Sequence, residues 1–398
     1  MMKRDLTDKV TLRHGAVLND RMVMAPMVTL SGTANGEVTQ EQIDYYGRRS
    51  QVAGMIIVEA TYIHPNGHTF KGHLGMSNDH YIPGMTKLAA AIKANGAKAI
   101  LQLHHGGREA ATYYDHGGIP LAPSDLDYQH SPHSSIDYPV QEMTTEQIHD
   151  VVKEYGAATK RAIEAGFDGV EIHGANHYLL QQFFSKLTNH RTDEYGGDLT
   201  NRMRLDLEIV DEVVRVVHEF GPKDFIIGIR ISPNEIHGDR VGFDYQENQE
   251  LIKQLNAKDI DYVHISGMTA NSLSFRNNPA GQDKTYTQLY KEVLAPEIKL
   301  ITCGSVFSVD DAQEAAEQAD LVGIAREALI EPDYAKKLHA GQADKIVTEV
   351  DSATFDSLKL PTTLKEIFKS NIDKDTNGKE KHGYFPATPL PNGESVKE

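Results

Sequence analysis

Short apolar runs alternate with longer amphipathic segments along most of the chain. Eight runs have the length and composition of buried strands, and polar or turn-forming residues bound them. The predicted strands are Met22–Ala25, Met55–Thr61, Ala97–Leu103, Gly169–His173, Phe225–Ile231, Tyr262–Ser266, Leu300–Cys303 and Leu321–Ile324. Between them, apolar residues recur at three- and four-residue spacing, which is typical of helices. The predicted helices are Glu41–Ala53, Met85–Ala94, Glu146–Ala165, Arg202–Phe220, Glu247–Leu255 and Asp310–Gln318.

Eight strand-helix alternations favour one α/β domain, a closed (β/α)8 TIM barrel, over an open sheet. The alternative is a doubly wound dinucleotide-binding fold, but neither its G-x-G-x-x-G fingerprint nor a G-x-x-x-x-G-K-[ST] phosphate loop occurs. A short hairpin is expected around His14-Gly15, before the first strand. We predict a barrel domain over residues 1–344 and a C-terminal extension over 345–398, packed on the barrel or forming an oligomer contact.

Charge and cysteine content narrow the range of partners. The chain has 40 Lys and Arg against 57 Asp and Glu, and its net charge of -17 repels nucleic acid and anionic lipid. Its single cysteine, Cys303, excludes an internal disulfide and a cysteine-ligated iron–sulfur cluster. No segment has the roughly 20 apolar residues needed to span a membrane, and the N-terminus lacks an apolar signal core. We therefore expect a cytoplasmic protein that acts on a small molecule and leave homo-oligomer formation open.

Polar side chains near the ends of the third and fifth strands suit a flat heterocycle. Gln102 can both donate to and accept from the pyrimidine edge of a flavin, although a structural glutamine explains the residue as well. His104 and His105 follow it, and because side chains alternate along a strand only one of them can face the site. Arg230 ends an apolar run and needs an anionic partner, which is either a buried acid or the N1–C2=O edge of a reduced flavin.

The last two strands end in residues that suit a phosphate. Gly304 and Ser305 follow the seventh strand, and Ala325 and Arg326 follow the eighth. Small residues let backbone N–H groups approach a phosphate, and an arginine can bind it through two parallel hydrogen bonds. These two loops form the usual phosphate site of a TIM barrel.

The segment after the fourth strand is the richest in candidate chemistry. His173 and Asn176 could donate hydrogen bonds to one oxygen, and the Tyr178 phenol could supply a proton. Spacing alone leaves their convergence open. A metal held by His173 and His177 at i,i+4 would require a helix and a third ligand, and neither is evident, so no metal is predicted. The polar stretch from Leu187 to Arg202 is interpreted as a hydrogen-bonded loop with a helix cap.

Three patterns in this order resemble the old yellow enzyme family of FMN-dependent ene-reductases and NAD(P)H:flavin oxidoreductases. They are Q-L-x-H-x-G-R from Gln102 to Arg108, the segment from His173 to Ser185, and the stretch from Leu187 to Arg202. The resemblance covers residues 5–340. It implies a tightly bound, non-covalent FMN and either NADH or NADPH as the reductant.

The resemblance also implies roles for individual residues. Residues of the first and second strands form walls of the flavin, two polar residues meet its pyrimidine edge, and the last two strands bind its phosphate. In that order they are Ala25, Pro26, Met27 and Ala60; Gln102 and Arg230; and Gly304, Ser305, Ala325 and Arg326. His173 and Asn176 match the family's donors to the substrate carbonyl, with His173 also beside the flavin, and Tyr178 matches its proton donor.

Two positions depart from the family pattern. Val28 stands where relatives commonly carry Thr or Cys near flavin O4, and Thr29 follows it. Ala325 replaces the usual glycine before Arg326, a small change that still admits phosphate.

The implied reaction takes hydride from NAD(P)H onto the flavin and passes it to an electrophilic acceptor such as an α,β-unsaturated carbonyl. Two alternatives remain. The first is a flavin-dependent quinone or nitro-compound reductase, in which Tyr178 is not essential. The second is a flavin-binding module without catalytic activity.

Overall fold

Eight parallel strands close into a barrel in the computed structural model, which describes residues 4–125, 136–267, 272–350 and 354–370. They are β1 (Met22–Met24), β2 (Met55–Tyr62), β3 (Lys98–His104), β4 (Gly169–Gly174), β5 (Ile226–Ile231), β6 (Tyr262–Ile265), β7 (Lys299–Cys303) and β8 (Leu321–Ile324). Each strand pairs with its sequence neighbours, and β1 pairs with both β8 and β2. The predicted (β/α)8 fold and its eight strands are confirmed, with ends that differ by no more than one residue.

Helices follow the strands around the outside of the barrel. They are α1 (Gln40–Arg48), α2 (Ile82–Lys93), α3 (Thr145–Glu164), α4 (Arg204–Phe220), α5 (Tyr245–Leu255), α6 (Tyr286–Lys291), α7 (Val309–Gln318) and α8 (Tyr334–His339). Additional helices span Ala111–Asp115, Leu179–Phe184, Leu199–Arg202, Arg326–Ile330 and Thr362–Ser370. Single 3-10 turns span Pro65–Gly67, Asp79–Tyr81, Gly107–Glu109 and Ala343–Lys345. Five of the barrel helices begin in capping boxes, in which a side chain satisfies backbone N–H groups of the first turn.

The first helix ends five residues before the predicted boundary at Ala53. Arg49 follows its last residue and is fully buried. The guanidinium donates to the carbonyls of Tyr45, Ala328 and Leu329 at 2.8–3.0 Å, and also to Leu358 at 3.0 Å. Because an unpaired buried charge is costly, these four acceptors explain how Arg49 is tolerated there. Apolar periodicity could not indicate that a charged residue would end the helix.

The two ends of the barrel differ in character. Val10–Thr11 and Val17–Leu18 form the expected antiparallel hairpin. The apolar residues of this hairpin pack into the barrel at the end where the strands begin. There they form one cluster with side chains from most of the strands. The opposite end, where the strands finish, carries the polar residues described below.

Part of the C-terminal extension packs on the barrel. Phe355, Leu358 and Leu360 are buried in the main core. Thr363 donates through Oγ1 to the Leu30 carbonyl at 3.2 Å, in the segment after β1. Residues 371–398 of the predicted extension lie outside the described residues. Among the described helices, none is long and apolar enough to cross a membrane.

Candidate active site

His173 lies at the end of β4 and is 3% exposed. The strand register makes it the Cα partner of Arg230 on β5, which is in turn the partner of His264 on β6. The Ala175 backbone N–H donates to His173 Nδ1 at 3.3 Å. An imidazole nitrogen that accepts cannot carry the proton of the neutral ring, so this contact places that proton on Nε2. His173 is thereby arranged as a hydrogen-bond donor.

Tyr178 meets His173 and a second histidine, His104, in one aromatic cluster. The Tyr178 ring centroid lies 5.0 Å from that of His173 and 4.3 Å from that of His104, both edge to face. His104 also accepts or donates one hydrogen bond with Thr69 Oγ1 at 2.9 Å. Burial raises the pKa of Tyr178 above its usual value, so the phenol stays protonated at neutral pH. As expected, only one of the paired histidines faces this cluster, since His105 bonds Asn66 instead.

Asn176 is held between the ends of β5 and β6. Its backbone N–H donates to Ser232 Oγ at 2.9 Å, and its side-chain Oδ1 accepts from Ser266 Oγ at 2.9 Å. Its φ of 58° lies in the left-handed region, where Asn is one of the few residues tolerated. Such backbone strain concentrates at functional sites. In this arrangement Oδ1 faces Ser266 and the NH2 group of the amide faces away from it.

Inside the barrel, Gln102 and four ionisable residues form a buried network. Gln102 Nε2 donates to Glu171 Oε1 at 2.7 Å, and Glu171 Oε2 bonds His264 Nδ1 at 2.8 Å. Arg230 Nη2 lies 3.9 Å from Cys303 Sγ. The side chains of His264 and Cys303 also interact, so Gln102 and Arg230, the two polar residues predicted to lie beside a cofactor, are joined through strand residues.

Attraction between opposite charges in this network favours the ionised forms of its residues. Burial alone would raise the pKa of Glu171 and lower that of His264, but their mutual attraction reverses both shifts. The pKa of Glu171 is lowered and that of His264 is raised, which favours a carboxylate facing an imidazolium. Burial also opposes ionisation of Cys303, yet His264 and then Arg230 outweigh it and bring the pKa of this thiol to about 7.

The segment after β1 is anchored by a buried acid. Thr29 donates to Glu59 through its backbone N–H at 2.8 Å and its hydroxyl at 2.7 Å, and Gln42 donates to the same carboxyl at 3.1 Å. Thr29 is 0% exposed. Its hydroxyl therefore points into this network and does not replace the polar group missing at Val28. Burial raises the pKa of Glu59 to about 7.

The other predicted wall residues flank this anchor. Ala25, Pro26 and Met27 follow β1, and the Ala25 N–H donates to the Ile324 carbonyl at the end of β8, 2.9 Å away. Ala60 lies in β2, next to Glu59, and is buried. The motif of the first strand is thus fixed to both neighbouring strands.

The ends of β7 and β8 lie side by side. Cys303 and Gly323 are Cα partners, which brings Gly304 and Ser305 next to Ala325 and Arg326. Ser305 has a left-handed φ of 56°. The Arg326 guanidinium lies 4.9 Å from the centroid of the Phe307 ring, which links the two loops.

The stretch from Leu187 to Arg202 is a hydrogen-bonded loop, as interpreted. Asn189 Nδ2 donates to the carbonyls of Phe183 and Tyr195. Asp198 caps the helix Leu199–Arg202 by accepting from the Asn201 backbone N–H at 2.9 Å.

Sequence and structural comparisons agree on the relatives of this chain. Residues 10–345 match the NADH:flavin oxidoreductase / NADH oxidase family. The chain belongs to this family. A probable NADH-dependent flavin oxidoreductase of Bacillus subtilis, YqiG, is 37% identical over 362 residues, which cover 91% of this chain and 95% of that protein.

Two further relatives of the family extend the comparison. The NADH:acrylate oxidoreductase of Vibrio harveyi is 39% identical over 365 residues, which cover 91% of this chain and 36% of that longer protein. The structure of the old yellow enzyme homologue from Zymomonas mobilis aligns with a TM-score of 0.75 and 25% identity, covering 88% of this chain and 96% of its own. The protein is an NAD(P)H-dependent flavin oxidoreductase of old yellow enzyme type, and its cofactor is FMN.

Sequence reasoning missed several residues that surround this family's site. Glu171 and His264 were interpreted only as strand residues, although an acid and a histidine in strands buried on both faces signal an internal pair. The sequence pattern does not indicate Glu235 and His237, because their partner, His177, belongs to another loop.

Proposed function

We propose that this protein reduces the carbon–carbon double bond of an α,β-unsaturated carbonyl or carboxyl compound. His173 and Asn176 bind the substrate oxygen, and Tyr178 donates a proton to the carbon next to the carbonyl. One observation carries the proposal: the Tyr178 ring packs 5.0 Å from His173, whose Nδ1 accepts from a backbone N–H. A proton donor and an oxygen-binding donor are thus adjacent.

The residues around the barrel end fit FMN. Arg230 Nε is buried and has no hydrogen-bond partner among the described residues, as expected of a cation that faces a ligand. With Gln102 beside it, Arg230 would hold the pyrimidine edge. Ala25, Pro26, Met27 and Ala60 would form the walls, and Gly304, Ser305, Ala325 and Arg326 would hold the phosphate. When bound, FMN supplies the hydride that it has received from NAD(P)H.

His173 and Asn176 act by donating hydrogen bonds to an oxygen that gains negative charge during the reaction. The His173 tautomer leaves Nε2 protonated, and Ser266 holds the Asn176 carbonyl so that the NH2 group faces the opposite way. Loss of one donor of this kind typically costs roughly 2.7–4 kcal/mol in the barrier.

Tyr178 acts as the general acid. Its raised pKa keeps the phenol protonated until the substrate carbon becomes basic. A positioned acid typically accelerates a reaction by about 10²–10⁴-fold. The name of the Vibrio harveyi relative, NADH:acrylate oxidoreductase, supports an unsaturated acid as one acceptor to examine.

The test begins with the visible spectrum of the purified protein and anaerobic titration of its flavin with NADH and NADPH. The reduced protein is then mixed with acrylate, with 2-cyclohexenone and with a quinone, and the products are identified by mass spectrometry. Saturated products and rapid reoxidation by either unsaturated compound support the proposal. Reoxidation by the quinone alone favours the quinone or nitro-compound reductase, and a flavin that neither nicotinamide bleaches favours the non-catalytic binding module.

A further inference from the structure

Three side chains that the proposed reaction does not use meet above the ends of β4 and β5. His177 Nδ1 and His237 Nε2 each lie 3.8 Å from Glu235 Oε1. One ligand atom from each residue lies within 4.8 Å of the others. His177 belongs to the loop after β4, whereas Glu235 and His237 belong to the hairpin after β5.

The hairpin explains why Glu235 and His237 lie together. They occupy the two ends of the short strand Glu235–His237, which pairs antiparallel with Arg240–Phe243. Gly238 makes the turn with a φ of 62°, which favours glycine. His177 reaches them from the other loop, where its own φ of 63° is left-handed. Two loops therefore converge on one carboxylate.

The carboxylate itself points to a missing ligand. Glu235 is 1% exposed, and its Oε2 accepts from Gln181 Nε2 at 3.0 Å. Its Oε1, the atom that faces both histidines, has no hydrogen-bond partner among the described residues. The two imidazole nitrogens face this oxygen from 3.8 Å, beyond hydrogen-bond distance, and buried oxygens without a hydrogen bond are commonly satisfied by an ion or a water.

Gln181 holds two members of this cluster in place through hydrogen bonds. Besides donating to Glu235, it accepts through Oε1 from the His177 backbone N–H at 3.1 Å. One amide thus fixes both the acid and the backbone of a histidine. Residues that orient metal ligands in this way are typical of metal sites.

We propose that His177, Glu235 and His237 bind a divalent metal ion such as Zn²⁺. The ion would join the loop after β4 to the hairpin after β5. Two imidazoles and one carboxylate form a common zinc ligand set that leaves a fourth position for water. Metal–ligand distances of about 2.0–2.1 Å in a tetrahedron separate the ligand atoms by about 3.4 Å. The two histidine–carboxylate separations of 3.8 Å need a small contraction, and the two imidazole nitrogens, which lie within 4.8 Å of each other, need a larger one of up to about 1.4 Å. The site does not include His173.

The proposal concerns binding and is independent of the proposed reaction. The test uses full-length, FMN-loaded protein without a purification tag, stripped with a chelator and then dialysed against Zn²⁺. Metal per flavin is measured by mass spectrometry. We expect one zinc per chain, with Glu235→Gln and His237→Asn each weakening binding at least about tenfold, the lower limit for disturbed metal shells. His218→Asn is the matched control, because His218 lies on α4, is exposed and pairs with Asp259.

A second measurement guards against variants that fold poorly. X-ray absorption of the zinc-loaded parent should show nitrogen and oxygen ligands at about 2.0–2.1 Å with imidazole scattering. Zinc should also raise the melting temperature of the parent and of His218→Asn but not that of the other two variants. The proposal is overturned if the parent binds no zinc, if both ligand variants bind it as tightly as the parent, or if the absorption spectrum lacks imidazole.

Discussion

Glu171 and His264 form a fully buried pair inside the barrel, with Oε2 and Nδ1 2.8 Å apart. Removing one partner of a buried pair leaves the other charge unpaired, which typically costs about 3–5 kcal/mol. We therefore predict that Glu171→Gln lowers the melting temperature of the FMN-saturated protein strongly. Glu219→Gln, which breaks an exposed pair with Arg215, should change it little. Equal melting temperatures for the two variants would show that the buried pair does not stabilise the folded protein.

The same pair predicts a pH dependence. Because the pKa of His264 is raised, its contribution to the stability of the folded protein is fully present below pH 6.5. That contribution is lost as the pH rises through the folded-state pKa. Because the pKa of Glu171 is lowered, its contribution to stability is fully present above pH 4.5. That contribution is lost as the pH falls through the folded-state pKa of Glu171. The difference in melting temperature between the parent and Glu171→Gln should be largest between these two values and shrink at alkaline pH. A difference that grows with alkaline pH would contradict the assignment of charges.

Cys303 should titrate near neutral pH. Its thiol pKa of about 7 depends on His264 and Arg230, which outweigh the effect of burial. As the chain has one cysteine, the ultraviolet absorbance of its thiolate can be followed directly, with Cys303→Ser as the blank. In His264→Gln, the midpoint should move toward the usual 9.0. An unchanged midpoint in that variant would remove His264 as the cause.

Arg230 should make the flavin easier to reduce. A cation at the pyrimidine edge stabilises the negative charge of the reduced ring. We predict that Arg230→Ala lowers the two-electron reduction potential by at least about 30 mV, which corresponds to about 1.4 kcal/mol. Equilibration with reference dyes measures the potential, and Arg215→Ala on the exposed face of α4 provides the control. A potential equal to that of the parent would place Arg230 in a purely structural role.

Ser266 should assist catalysis through Asn176. Ser266→Ala removes the 2.9 Å hydrogen bond that fixes the Asn176 amide. One such bond is worth about 1 kcal/mol, so kcat/KM for an enone should fall about five- to tenfold while the melting temperature changes little. Restoration by Ser266→Thr would support a positioning role. The exposed Ser357→Ala serves as the control, and the idea fails if both alanine variants retain the kcat/KM of the parent.

Much of the framework could be predicted from the sequence, because each barrel strand is a short apolar run bounded by polar segments. The ends of those runs also pointed to His173, Tyr178 and Arg230 on one face. The ends of the helices could be predicted less closely than the ends of the strands. The end of α1 depends on Arg49, and three of its four acceptors come from residues some 280 to 310 positions away.

The internal network and the metal cluster depend on contacts that spacing does not encode. Glu171 and His264 are 93 residues apart, and their pairing requires the register of three neighbouring strands. His177 and Glu235 meet only because a left-handed loop faces a hairpin. In each case the residue types were visible in the sequence, but their partners were not.

Single-turnover kinetics isolate the step in which Tyr178 donates its proton. Tyr178→Phe is reduced with NADH and mixed with 2-cyclohexenone or a quinone in a stopped-flow instrument, beside the parent and Tyr195→Phe, which changes a buried tyrosine in the polar loop. We predict unchanged flavin reduction, unchanged reoxidation by the quinone, and reoxidation by the enone that is slower by about 10²-fold or more in Tyr178→Phe alone. Reoxidation of Tyr178→Phe by the enone at the parental rate would show that Tyr178 is not the proton donor.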